Sequence, residues 1–165
     1  MTLCPPLRRL SAEHARWLAE VAGWASAGQE DRTSRLLALW DLEVLPHCRA
    51  EEEVLLPELA GRLSEADAAI VFTLSDHVAL RRLARELREA RGAARAEALA
   101  AMERKLVEHA RFEEATLFPA VQEALGCDRI AGLAPDLAAA AEASRPRPTS
   151  SAALAASHTR KGRKS

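Results

Sequence analysis

The amino-acid sequence predicts an all-α protein: an up-down-up-down four-helix bundle, followed by a short C-terminal helix and a disordered basic tail. Three observations predict it. Alanine, leucine, arginine and glutamate dominate while tyrosine is absent, a vocabulary that favours helix. Apolar residues recur at helical spacing along four long segments. The connections between those segments are short, which makes successive helices antiparallel neighbours. With 165 residues, 48 % of them hydrophobic, the chain suits one domain with a substantial core. Residues 1–143 are assigned to the bundle and 144–165 to the tail.

The first helix is expected from Leu7 or Ser11 to Ala27, after Pro5-Pro6 and before Gly28, with Leu10, His14, Trp17, Leu18, Val21 and Ala25 inward. The second starts near Asp31, a plausible N-cap, and reaches Leu59 before Gly61, with Leu36, Trp40, Val44, His47, Glu51 and Leu55 inward. Pro46 lies inside it, removes a backbone donor and is expected to kink it. The third follows the cap candidate Ser64 and ends near Arg91-Gly92, with Ile70, Leu74, His77, Leu80, Ala84 and Leu87 inward. The fourth runs from about Ala94 to Leu125 and stops at Gly126, with Met102, Leu106, His109, Glu113, Leu117 and Ala120 inward. Residues 130–143 can form a short fifth helix.

One stretch is written twice. HCRAEEEVLLP, from His47 to Pro57, aligns without gaps with HARFEEATLFP, from His109 to Pro119. The chain has five histidines, and four of them fall one per helix, at successive separations of 33, 30 and 32 residues. Near-equal steps of one helix plus one loop bring all four to a similar height. The first two helices and the last two therefore read as copies of one hairpin, related by a pseudo-twofold axis.

Glu51 and Glu113 complete the set, because a residue four places after a helical histidine lies on the same face one turn on. Four imidazoles and two carboxylates in an apolar interior are costly unless compensated, an unpaired buried ion costing several kcal/mol. A metal removes that cost. A nitrogen and oxygen donor set without paired thiolates suits iron or manganese rather than structural zinc or copper(I). Four histidines and two bridging carboxylates supply eight bonds, whereas two octahedral ions want roughly twelve. A bridging oxo or hydroxo group adds two, which leaves about two positions for an exogenous small molecule. Two ferrous ions, two carboxylates and one hydroxide leave a single positive charge, which a buried site can hold.

These residues resemble the hemerythrin-like proteins with an HHE cation-binding domain. The resemblance covers roughly residues 7–125 and rests on His14, HCRAEEEVLLP, His77 within SDHVALRR, and HARFEEATLFP. It implies a four-helix bundle with a non-haem di-iron centre that binds O2 or meets NO or peroxide. By that resemblance His14 and His47 bind one iron, His77 and His109 the other, and Glu51 and Glu113 bridge. The oxygen carriers of the family have a further histidine four residues after that of the third helix; here it is Arg81, so the carrier pattern is broken. A guanidinium cannot ligate a cation. Arg81 is therefore expected to reach the bundle edge or to pair with a carboxylate such as a bridging glutamate or Glu43, leaving the ion of His77 the more open one. Some relatives use the side chain right after the second-helix histidine as a ligand. Here that is Cys48, read first as a small buried hydrophobe. Glu43 is read as solvated, with a ligand or outer acceptor role as the alternative, and Glu52 and Glu114 are expected to face solvent.

Charge and cysteines bound the remainder. The net charge of −1 hides a tail of +6, from Arg145, Arg147, Arg160, Lys161, Arg163 and Lys164. The tail is read as an unstructured terminus, contact with nucleic acid or an anionic membrane surface being the alternative. Three cysteines without a paired motif suggest free thiols in a reducing compartment, hence a cytoplasmic protein. No apolar run approaches the roughly 18 residues of a membrane span, and no leader is expected. Two functional classes follow: a di-iron protein that binds or senses O2, NO, peroxide or iron itself, and a di-iron enzyme with peroxidase-like or NO-handling activity. The absence of tyrosine and of an evident acid or base at the site favours binding.

Overall fold

The computed structural model describes residues 2–62 and 64–146, and for residues 64–67 the backbone alone. The described residues are helical, with no strand among them. Helix α1 (Pro5–Gly23) begins earlier than expected, with both prolines in its first turn, where a missing N–H costs nothing. Leu7, Leu10, His14 and Trp17 form its buried face. Ala25, expected inward, is exposed, because the helix has ended at Gly23 and its phase is not continued; Trp24 is buried instead.

Helix α2 (29–59) is capped by Gly28 rather than by Asp31. Asp31 sits in the first turn, where the helix dipole favours an acid, and accepts from Arg35 Nε at 2.9 Å. At Pro46, where a kink is expected, the helix has a widened turn. Trp40–Val44 is π-helical, and the Leu45 N–H bonds back five residues to the Trp40 carbonyl. The same occurs at Glu51–Leu55, where Leu56 bonds to Glu51, and in the fourth helix at Glu113–Leu117, where Phe118 bonds to Glu113. Each π-turn stands two residues before a proline: Pro46, Pro57 and Pro119. A proline donates no N–H and its ring clashes with the carbonyl four back. A turn that is one residue wider absorbs both problems without breaking the rod.

Helix α3 (Ser64–Glu89) buries Ala69, Thr73, His77, Leu80, Ala84 and Leu87. Leu74, expected inward, is 39 % exposed and Thr73 takes its place, because the buried face steps by alternating threes and fours through 73, 77, 80, 84 and 87. The cap expected from the Ser64 side chain lies outside the described residues. Helix α4 (92–132) comprises Gly92–Phe112, the π-turn Glu113–Leu117, and Phe118–Gly132, interrupted at Gly126. Gly126 has φ 71° and ψ 158°, a conformation open to glycine, and it stops the long rod where the sequence placed the stop. The short C-terminal helix is α5 (Ala134–Ala143), packed across the middle of α2. The tail beyond Pro146 lies outside the described residues.

Two apolar clusters fill the interior. One gathers Leu7 and Leu10 of α1, Leu55 and Leu59 of α2, Ala69 of α3 and Leu117 and Phe118 of α4, closed by Ile130 and Leu137. The other gathers Trp17, Leu36 and Trp40, Leu80 and Leu87, Met102 and Leu106. Along α1 and α3 the chain passes from the first cluster to the second, and along α2 and α4 it passes back. In each of α1 to α4 a histidine lies between the two.

One expectation is overturned here. Cys4 and Cys127 form a disulfide, Cα to Cα 5.5 Å, and Cys48 is the free cysteine. No motif marks the pair because the bond joins the residue before α1 to the residue after Gly126, 123 positions on. The inference of a reducing compartment loses its basis with it. No helix is long and apolar enough to cross a membrane.

Candidate metal centre

His14, His47, His77 and His109 all turn inward, none more than 2 % exposed, and Glu51 and Glu113 are fully buried between them. The six side chains predicted as ligands therefore share one polar layer between the apolar clusters. Each carboxylate spans the layer. Glu113 sets Oε2 3.0 Å from His14 Nε2 and 3.7 Å from His47 Nε2, and Oε1 3.6 Å from His77 Nε2 and 3.4 Å from His109 Nδ1. Glu51 sets Oε1 3.4 Å from His47 Nε2 and Oε2 3.4 Å from His77 Nε2. One oxygen of each glutamate thus faces each histidine pair.

Three outer carboxylates hold the imidazoles from behind. Glu114 accepts from His14 Nδ1 at 2.9 Å, Glu13 from His47 Nδ1 at 2.8 Å, and Glu52 from His77 Nδ1 at 2.9 Å. Glu52 and Glu114, expected in solvent, are therefore tied to the centre. Their signal was the doubled EE: the first glutamate of each pair faces the ligands of both hairpins, and the second reaches the histidine of the next helix. Glu13 had no repeat to mark it. Arg81 pairs with a carboxylate as expected, but the partner is Glu52, at 2.6 and 2.8 Å. Glu43 stays outside the centre and accepts from Trp17 Nε1 at 3.2 Å and from Arg16. Trp17 packs its ring 4.7 Å from His47, and Phe118 stacks on His14 at 5.4 Å, so the rings are fixed by packing as well.

The donor set fits a cation. An imidazole that gives its Nδ1–H to a carboxylate presents a bare lone pair at Nε2. His14 and His47 both do so, yet their Nε2 atoms face each other at 3.1 Å. Two lone pairs at that distance repel unless something positive stands by them. Both oxygens of Glu51 and Glu113, Nε2 of His77 and both ring nitrogens of His109 are buried without a hydrogen-bond partner. Fully burying a leucine gains roughly 1.5–3 kcal/mol, while each uncompensated buried ion costs several, so this layer would consume much of the surrounding core without a cation. Protons can play that part. Burial lowers the affinity of His47 for a proton, but Glu51, Glu113 and Glu13 outweigh it and hold its pKa well above the usual value. Burial raises Glu113, but His109 and the other imidazoles hold it well below the carboxylate range. For Glu52, burial is again overcome, by His77 and Arg81, to about 2. Cys48 is raised by burial yet brought down to about 7 by His77 and His109.

Three groups among the described residues have donor atoms close enough to share an ion: His14, His47 and Glu113; Glu51, His77, His109 and Glu113; and Cys48, His77 and His109. Glu113 belongs to the first two. Helices that surround such a layer define a class, the helical proteins with a buried cation-binding centre. The hemerythrin HHE cation binding domain matches residues 6–121, most of the chain, and the chain belongs to that family. Comparison with curated proteins and with solved structures produced no match.

Proposed function

We propose that this chain is an up-down-up-down four-helix bundle that holds two iron ions and binds or senses a small molecule such as O2, NO or peroxide. His14 and His47 hold one ion, His77 and His109 the other, and Glu51 and Glu113 bridge them, with an oxo or hydroxo group completing the pair. The observation that carries the reading is the placement of the two buried glutamates, each with one oxygen toward each histidine pair. The passage of successive helices between the two apolar clusters supports the alternating topology. An iron pair supplies Lewis acidity and redox chemistry. The chain's own residues do the rest: Glu13, Glu52 and Glu114 fix the imidazole tautomers, and the apolar clusters keep bulk water out.

A binding or sensing role is favoured over substrate oxidation because, among the described residues, no outer carboxylate beside the layer stands free to give or take a proton. The carboxylates near it are already engaged by imidazole, Arg81 or Ser11. Metal analysis and the optical spectrum of the purified chain test the reading. Two irons per chain with near-ultraviolet bridge absorption are expected; a single ion, or zinc alone, would overturn it. Steady turnover of hydrogen peroxide would move the assignment to a di-iron peroxidase.

A further inference from the structure

The two halves of the centre are near copies, so the places where they differ are informative. The shift that carries His14 onto His77 carries Glu13 onto Asp76, and the shift that carries His47 onto His109 carries Cys48 onto Ala110. The halves part company at both. Glu13 holds His47 from behind, whereas Asp76 is one methylene shorter and is taken by Lys105 Nζ at 2.5 Å. His109 is left without an outer carboxylate, and neither of its ring nitrogens has a hydrogen-bond partner. Facing it instead is Cys48, fully buried and free. Its Sγ, one nitrogen of His77 and one of His109 lie within 4.8 Å of one another. On the other half the equivalent side chain is the methyl of Ala110, which offers no donor.

We propose that Cys48 is a thiolate ligand of the ion held by His77 and His109, so that the centre consists of two unlike metal positions, one with sulfur and one without. The inference rests on the dinuclear reading above. Metal–ligand bonds run about 2.0–2.3 Å, so donors of one ion stand at most about 4.6 Å apart, and three donor atoms that all lie within 4.8 Å of one another are compatible with that limit. As the metal–sulfur bond forms, the thiol S–H bond breaks and its proton leaves to solvent. The thiolate cancels the one positive charge that two ferrous ions, two carboxylates and a hydroxide leave behind. It also fills a position on the His77 side. The position left for an exogenous molecule then lies with His14 and His47.

Cobalt(II) tests this without reference to activity, because a thiolate ligand adds an intense sulfur-to-cobalt absorption in the near-ultraviolet that imidazole and carboxylate do not give. The full chain is loaded anaerobically with cobalt(II), with its disulfide intact, and metal content and spectrum are read together. Two ions per chain with the thiolate band are expected, and the band should vanish in Cys48→Ser and Cys48→Ala while two ions remain. Two ions and no band in the unsubstituted chain would overturn the ligation and leave the dinuclear reading standing, whether or not the variants fold. A band at one ion per chain would support Cys48 and overturn the pair. A band that survives both substitutions would overturn the assignment to Cys48.

Discussion

An imidazole that donates its Nδ1–H to a carboxylate has its tautomer and its ring orientation fixed together, which is why Glu13, Glu52 and Glu114 matter although none faces the ligand cluster. Glu52 has the heavier task, since it accepts from both His77 and Arg81. Glu52→Gln keeps the shape and removes the charge, so metal affinity should fall by roughly 10–100-fold, read by competition with a chromogenic chelator. Glu53→Gln, at a half-exposed neighbour, should leave it unchanged; equal effects of the two would reduce Glu52 to surface charge. Among the inner carboxylates, Glu113→Gln should lose the second ion more completely than His14→Gln, because Glu113 faces all four histidines while His14 faces one side. Two ions retained in the Glu113 variant would remove it from the bridge. The pH dependence has a definite sign. His47 and His109 are held above the ordinary imidazole value by Glu51 and Glu113, against burial. In the metal-free chain their contribution is full below about pH 6.5 and fades as pH rises through the raised values. Glu51 and Glu113 are held below the usual value of 4.5, so theirs is present above that pH and lost as pH falls. Metal competes with those imidazole protons, so the gain in melting temperature on loading should grow from pH 5.5 to pH 7.5. A gain independent of pH would mean that the ions bind elsewhere.

The three π-turns connect a pattern of prolines to the position of the ligands. Two of the turns begin at Glu51 and Glu113 themselves, and the proline that ends each repeat lies six residues on. Pro119→Ala returns a backbone donor, and the turn can then close as ordinary α-helix. Losing the extra residue of the turn would rotate Glu113 relative to Phe118 by about the 100° that one helical residue subtends. Metal content should fall while far-ultraviolet circular dichroism stays the same; full loading in both Pro57→Ala and Pro119→Ala would show that the turns do not depend on proline. The H-x-x-x-E spacing, the buried face of α2, that of α4 as far as Leu117 and the stops at Gly61 and Gly126 were legible in the sequence because each is a local rule of one helix. Beyond Leu117 the next buried residues are Phe118 and Val121 rather than the expected Ala120, since the widened turn shifts the phase. The outer acceptors were not, since Glu114 reaches α1 and Glu52 reaches α3, and such contacts depend on how helices face one another. The disulfide and the choice of Thr73 over Leu74 were hidden for the same reason. Nor does a sequence rule foretell the widened turn before Pro46, because several local distortions accommodate a missing donor.

The chain is fastened at one end and covered on one side, and both features bear on how the centre is reached. The Cys4–Cys127 bond encloses nearly the whole bundle, and Cys4 N–H also donates to Gln122 at 2.6 Å. A crosslink over so long a loop is worth about 2–5 kcal/mol, so mild reduction should lower the melting temperature clearly. An unchanged transition would mean that α1 is held by packing alone. On the covered side, α5 lies across α2 above His47. Between them is a cavity of about 50 Å³ whose lining includes Leu10, Glu13, His47, Ala50, Leu137 and Ala138. One water needs roughly 10–15 Å³ of such space, so the cavity has room for a few waters, or for a diatomic gas, peroxide or azide. It abuts His47 and not His77, the side that keeps a free position if Cys48 ligates the other ion. Ala138→Phe places a ring in that space from a helix that contributes no ligand. Metal content should stay at two ions per chain while azide or NO association, followed by stopped-flow absorbance, slows by an order of magnitude or more. Association at the original rate in the loaded variant would mean that small molecules reach the centre by another path, and the apolar lining under α5 would then be packing alone.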